Sequence, residues 1–164
     1  MPSYLKEARR APGSEWLKNR PRLLERVYDL TKTIFYKVYP FGKRAAPRLT
    51  ESVVIWGEKT FKGYAFNCQM CGQCILHSTG MTCPMNCPKN LRNGPCGGVR
   101  ANGHCEVVPE RMCVWVQAWE RSQQMQLYVN EMQIIQPPVN HALKNTASWI
   151  NMYEGTDQVK FPAP

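Results

Sequence analysis

The sequence contains no apolar run long enough to cross a membrane. Its longest apolar stretches, such as residues 52–56, are far shorter than the roughly 20 residues that a spanning helix needs. The first ten residues have no apolar centre, so we expect no signal peptide and a cytoplasmic, reducing environment. The sequence also lacks a Ser-His-Asp arrangement, a glycine-rich phosphate loop and a pair of carboxylates in a context typical of catalysis. These absences favour a carrier over a stand-alone enzyme.

Acidic residues are scarce, with 12 Asp and Glu against 21 Lys and Arg and a net charge of +9. The excess is concentrated in residues 1–50, which hold 12 basic and 4 acidic side chains, whereas residues 51–164 hold 9 and 8. Because this positive charge is dispersed along an arm and forms no dense patch, the composition argues against nucleic-acid binding.

Cysteine is absent from residues 1–67 and from residues 114–164, so all eight cysteines lie in one short block. In a reducing compartment such clustering favours metal ligands over disulfides. The candidate ligands are Cys68, Cys71, Cys74, Cys83, Cys87, Cys96, Cys105 and Cys113.

The spacing of these cysteines favours iron–sulfur clusters. The block opens as C-x2-C-x2-C, which binds one iron–sulfur cube through three thiolates and leaves the fourth iron to a distant cysteine. Eight thiols are the number that two 4Fe–4S clusters require, which predicts electron transfer. Cys83 and Cys87 each precede a proline, as the distant ligand does in two-cluster ferredoxins, but the spacing differs. The sequence does not assign the cysteines to one cluster or the other.

Structural zinc is the alternative, because two all-thiolate zinc sites would also use eight cysteines. His77 and His104 flank cysteines and are candidate substitutes for one or two ligands. Near the cysteines, Lys89, Arg92 and Arg100 could offset the negative charge of a cluster.

The cysteine block resembles a known family. The segment CQMCGQCILHSTGMTCPMNCPKNLRNGPCGG (residues 68–98) and its continuation NGHCEVVPERMCVW (residues 102–115) resemble the cysteine-rich domain named for the C-terminal part of methylenetetrahydrofolate reductases. In acetogens this domain is the small iron–sulfur subunit beside a flavin-containing barrel subunit. The resemblance implies that the eight cysteines hold two 4Fe–4S clusters, which pass electrons to FMN or FAD in that partner. Ferredoxin or another redox subunit is the candidate donor.

We expect a small, α-rich, largely irregular cysteine-rich domain organised around two metal clusters, with an N-terminal helix and an extended C-terminal tail. Its predicted parts are a basic arm and amphipathic docking helix (1–59), the cluster-binding domain (60–125) and a C-terminal extension (126–164). Helical spacing predicts a helix over 22–39 that Pro40 ends, whereas residues 52–56 indicate a strand or an extended segment. Further helices are predicted within 110–127 and 139–155.

The basic helix at 22–39 has three interpretations. It could dock onto the partner subunit, close this domain's own core, or lie on an anionic membrane surface. The sequence favours the first two.

Overall fold

The computed structural model describes residues 20–158, and their regular structure is helical. The helices are α1 (Pro21–Ala45), α2 (Pro47–Phe66), α3 (Val114–Ser122) and α4 (Ser148–Glu154). No β-strand forms within this range, which confirms the prediction of an α-rich fold. The extended tail predicted at residues 161–164 and most of the basic arm lie outside the described residues. The division at residues 59/60 and 125/126 stays a prediction.

Helix α1 begins at Pro21, where the missing N–H of proline is harmless. The prediction that it ends at Pro40 was wrong, because the helix continues to Ala45. The break falls at Ala46, which has an extended backbone (φ −151°, ψ 79°). Ala46 precedes Pro47, and a residue before proline is sterically excluded from the helical region. Pro40 removes one hydrogen bond from the helix but does not end it.

Helix α2 includes residues 52–56, so the prediction of a strand or extended segment there was also wrong. Its buried residues, Glu58, Lys62 and Ala65, are spaced three and four apart, as one face of a helix requires. The apolar run before them obscured this periodicity, because a short apolar run does not distinguish a strand from a buried helix.

The two long helices pack as a hairpin, and α4 packs against α1. Leu24 and Tyr28 of α1 share a buried core with Leu76, Cys83 and Trp149. The hairpin and the first cysteines are therefore parts of one core. No helix in the described range is long and apolar enough to cross a membrane.

Candidate metal centres

Four of the eight cysteines line one small cavity beside the end of α2: Cys68, Cys71, Cys74 and Cys83. Helix α2 is closed by Asn67, whose backbone is left-handed (φ 51°, ψ 51°). The N–H of Cys68 then donates to the carbonyl oxygen of Lys62 at 3.2 Å. This common form of helix ending turns the chain sharply. It places Cys68 at the start of the ligand loop.

The loop from Cys68 to Cys74 contains two residues with left-handed backbone, Met70 (φ 47°) and Gly72 (φ 76°). A side chain at position 72 would collide with the carbonyl oxygen of Leu143 and lie 2.7 Å from its Cβ, so only glycine fits. The N–H of Met70 donates to Sγ of Cys68 at 3.4 Å. Hydrogen bonds of this kind tune the potential of a bound cluster.

The C-terminal extension holds this loop in place through a set of long-range hydrogen bonds, which we name the C-terminal clasp (residues 140–157). Asn145 N–H donates to the Met70 carbonyl oxygen at 2.8 Å, and Asn151 Nδ2 donates to the Gly72 carbonyl oxygen at 2.8 Å. The side chain of Gln73 accepts from Asn140 N–H at 2.6 Å and donates to the Asp157 carbonyl oxygen at 2.7 Å. No pattern in the sequence marks these positions, because asparagine is common in polar segments of any kind.

The other four cysteines line a second cavity: Cys87, Cys96, Cys105 and Cys113. Two backbone hydrogen bonds shape its loop, from Cys105 N–H to the Arg111 carbonyl oxygen (3.0 Å) and from Cys113 N–H to the Gly103 carbonyl oxygen (2.9 Å). Cys113 leads directly into α3, where buried Trp115 donates Nε1–H to the Leu91 carbonyl oxygen at 3.2 Å. The second cavity is therefore built largely from nearby turns and one short helix.

The two sets follow chain order, an assignment that the spacing of the cysteines alone does not determine. The first set takes C-x2-C-x2-C and Cys83, whereas the second set begins at Cys87. A 3₁₀ turn, Pro84–Asn86, separates these two cysteines and directs them to different cavities. In two-cluster ferredoxins the fourth cysteine of each run crosses to the other cluster. The arrangement here is sequential.

The number of thiols in each cavity tests which metal group fits. Four cysteines line each cavity, which is the number of thiolate ligands that a four-iron cube requires. Tetrahedral zinc can also take four thiolates, with Zn–S bonds of about 2.3 Å. Among residues 20–158, no three His, Cys, Asp or Glu side chains are close enough together to hold a single ion. The donor set of each cavity therefore fits a four-iron cube.

Burial makes two thiols of the first set less acidic than a free cysteine. Burial raises the pKa of Cys68 to about 12, and the nearby Cys74 adds to the effect. Burial raises the pKa of Cys83 as well, followed by the neighbouring charges of Cys68, Cys74 and Cys71. Four adjacent thiolates repel one another unless a metal centre compensates them, and ligand thiols must lose their protons to bind one.

A buried arginine stands at the wall of the first cavity. Arg92 is 7% exposed, and its Nη2 donates to the carbonyl oxygen of Gln73, the peptide that leads into Cys74, at 2.9 Å. Its Nε and Nη1 are buried and have no hydrogen-bond partner. An unpaired buried cation is strongly unfavourable. A negatively charged thiolate-bound cluster in this cavity would supply the missing anion.

A second buried cation lies behind the first set. Lys62 forms an ion pair with Glu58 at 2.7 Å and donates to Ser148 at 3.0 Å. Burial lowers the pKa of Lys62, but the negative charges of Cys74 and Glu58 outweigh it, so the pKa is raised and the ammonium form persists. The apolar pattern of α2 gave no signal for this pair.

Neither candidate histidine lines a cysteine cavity. His77 contacts the hydroxyl of Tyr28 at 3.3 Å and Glu131 at 3.2 Å, and burial lowers the pKa of its imidazole. His104 Nδ1 lies 2.7 Å from the carbonyl oxygen of Pro109. Both side chains are engaged elsewhere, which favours all-cysteine sites.

A polar cleft of about 600 Å³ opens beside both cysteine sets. Cys68 and Cys71 of the first set and Cys87 of the second set lie in its wall. Its cationic lining residues are Lys59, Arg111 and Lys144. The cleft therefore offers one place on the surface from which both candidate metal centres are approached.

Residues 48–142 match a protein family described as "Methylene-tetrahydrofolate reductase C terminal". This range covers more than half of the chain and includes all eight cysteines. Searches of curated proteins and of solved structures found no match.

Proposed function

Because the chain belongs to the methylene-tetrahydrofolate reductase C-terminal family, we propose that it is the electron-transfer subunit of a methylenetetrahydrofolate reductase-type complex. In this proposal it holds two 4Fe–4S clusters that exchange electrons with the flavin of a catalytic partner. The observation that carries the proposal is the division of eight cysteines into two sets of four, each around its own cavity.

The residues of the chain have distinct roles in this proposal. Each cysteine set holds one cluster, and a bound cluster supplies reversible one-electron transfer. Apolar side chains of Met70, Ile75 and Met85 line the first cavity, and Val99, Val107 and Trp115 line the second. These walls exclude water from the sulfur atoms, while the cleft leaves one side of each set near the surface.

The helical hairpin is the proposed docking surface for the catalytic partner. Helix α1 buries Leu24 and Tyr28, yet it also exposes a row of apolar side chains along another side of the helix. That row consists of Leu23, Val27, Leu30, Ile34, Val38 and Phe41. A helix whose apolar surface extends well beyond its buried side is expected to be covered there too.

Helix α2 shows the same feature. Opposite its buried face it exposes Leu49, Val53, Trp56 and Tyr64, and the exposed fraction of Trp56 is 69%. Aromatic residues such as tryptophan are enriched at protein interfaces. We infer that these two rows contact the flavin-containing subunit, which agrees with the docking role expected for residues 1–59.

Metal analysis of the anaerobically purified complex tests the function. We expect about eight irons per chain and broad absorption that bleaches on reduction. The double variants Cys71→Ala/Cys74→Ala and Cys105→Ala/Cys113→Ala should each retain about four irons, because each removes ligands from only one set. A colourless protein with two zinc ions and no iron would instead identify a structural zinc subunit.

Co-purification tests the docking surface. Trp56→Asp should weaken retention of the catalytic subunit by at least tenfold without changing the iron content. Trp119→Asp on α3 is the matched control, since Trp119 is also exposed (54%) but belongs to a helix outside the hairpin. Equal retention of the partner by both variants would contradict docking through α2.

A further inference from the structure

We propose that Arg92 makes the first cysteine set, Cys68/Cys71/Cys74/Cys83, the more easily reduced of the two, so that it is the electron acceptor within this chain. The inference rests on the proposed function and adds an order of reduction, together with the residue that sets it. Reduction adds one electron to a cluster, so the more negative product is stabilised by a nearby positive charge.

The position of Arg92 makes it effective. Its guanidinium is buried at the cavity wall and is tied to the Gln73 carbonyl, one peptide from Cys74. Because water is largely excluded there, its charge is screened much less than a surface charge. Two nitrogens of the guanidinium, Nε and Nη1, are buried and have no hydrogen-bond partner.

Two other charges around the first set do not cancel this effect. Glu58 is already paired with Lys62, so that pair adds no net charge. Asp157 is close enough to Arg92 for the two charges to interact. Burial raises the pKa of the Asp157 carboxyl, and the positive charge of Arg92 opposes that rise. Asp157 nevertheless forms no ion pair with Arg92 among the described residues. Arg92 therefore remains a buried cation beside the first set, with its carboxylate neighbour beyond ion-pair distance.

The cations around the second set are either less buried or paired. Arg111 donates through Nη2 to the Asn86 carbonyl oxygen, in the peptide that leads into Cys87, but its side chain is only partly buried and lines the polar cleft, so water screens it more than Arg92. Lys89 lines the second cavity, but it is paired with Glu106, which lines the same cavity. The remaining wall is mainly apolar, formed by Val99, Val107, Val114 and Trp115. The second set also has three buried cysteines against one in the first set. Lower solvent exposure of the cysteines and a cation that water screens more strongly both disfavour the reduced form of the second cluster relative to the first.

Redox titration of the anaerobic complex, monitored by electron paramagnetic resonance, tests the order directly. The two double-cysteine variants, each keeping one cluster, assign the signals. In the wild-type protein the first cluster should have the higher reduction potential. This measurement needs no change at Arg92, so an equal or reversed order would overturn the inference even if an Arg92 variant failed to bind its cluster.

Substitution then tests the residue. Arg92→Gln should make the first cluster at least tenfold harder to reduce. For a one-electron couple this corresponds to a decrease of 59 mV in its reduction potential. The second cluster is the internal reference and should not move. Arg100→Gln is the matched control, because it removes the same charge from an exposed position near the second set.

The outcomes separate the two proposals. A protein without iron would reject the proposed function. A protein with eight irons whose first cluster keeps its potential after Arg92→Gln would reject only the role of Arg92. Arg92→Lys, which retains the charge, should restore most of the lost potential.

Discussion

The two cysteine sets are built in different ways. Residues far away in the chain hold the first set: Gln73 bonds to Asp157 across 84 positions, and Gly72 bonds to Asn151 across 79. Contacts within one stretch hold the second set, such as Cys113 with Gly103 and Trp115 with Leu91. Long-range contacts form only after a large loss of chain entropy. The first set therefore depends on the fold of the whole chain, whereas the second depends mainly on its own turns.

The electrostatic surroundings of the two sets also differ, because buried charges surround the first set and partly exposed charges surround the second. The first set lies among the buried charges Glu58, Lys62 and Arg92, which the hairpin and the cysteine block contribute together. The second set meets partly exposed charges, the Lys89–Glu106 pair and Arg111. Buried charges require a finished fold to compensate them. A substitution in the hairpin or in the C-terminal clasp should therefore destabilise the first set and leave the second set intact.

The largest expected effect is that of Gly72→Ala. The new methyl group would collide with Leu143 and would also occupy a left-handed backbone position, so the C-terminal clasp must move. We expect loss of the first cluster, half of the iron, and a decrease in the free energy of unfolding on the order of 4 kcal/mol. Iron analysis and denaturant titration measure the two effects.

The matched control for this variant is Gly103→Ala, near the second set. Gly103 has nearly the same backbone angle (φ 78° against 76°), but a Cβ there would meet only Val116 at 3.8 Å. We expect Gly103→Ala to lower the free energy of unfolding by about 1–2 kcal/mol, from conformational strain alone. Both clusters should be retained. Similar iron losses in the two variants would remove the distinction between the sites.

A smaller effect is expected from breaking the buried ion pair with Glu58→Gln. Lys62 would keep its charge in a buried place without its carboxylate partner, which typically costs about 3 kcal/mol. The double variant Glu58→Leu/Lys62→Met removes both charges and should recover most of that loss. Unfolding titrations of the three proteins check this order. A single variant as stable as the wild type would show that the pair is not needed.

The sequence predicted some of this architecture and missed the rest for identifiable reasons. The block of eight cysteines and the N-terminal helix were evident from spacing and periodicity. The helical nature of residues 52–56 was not, because Val53 and Trp56 face outward and mix an exposed apolar row with the buried one. Assignment of cysteines to sets depends on the turn between Cys83 and Cys87, and a pattern of spacings does not give the direction of a side chain.

Asn151→Ala removes hydrogen bonds of the C-terminal clasp and should have a smaller effect than Gly72→Ala, which displaces it. Asn151 Nδ2 donates to the buried carbonyl of Gly72 and to Thr146, so the substitution leaves a buried acceptor without its partner. The expected decrease in the free energy of unfolding is about 2 kcal/mol. Hydrogen exchange should quicken around Met70 and Gly72 but not around Cys105. Equal acceleration at both sets would argue that they unfold as one unit.

The smallest expected effect is that of Trp115→Phe, and it should be confined to the second set. Phenylalanine keeps most of the buried ring but loses the hydrogen bond to the Leu91 carbonyl at 3.2 Å, which is worth about 1 kcal/mol. Because Leu91 lies between Cys87 and Cys96, the loss should loosen their loop and speed iron release from the second cluster under a chelator. The first cluster, held by the distant C-terminal clasp, should release iron at the wild-type rate. The rates of the two phases of chelation, assigned with the double-cysteine variants, measure this difference, and faster release from the first cluster instead would reverse the comparison between the sets.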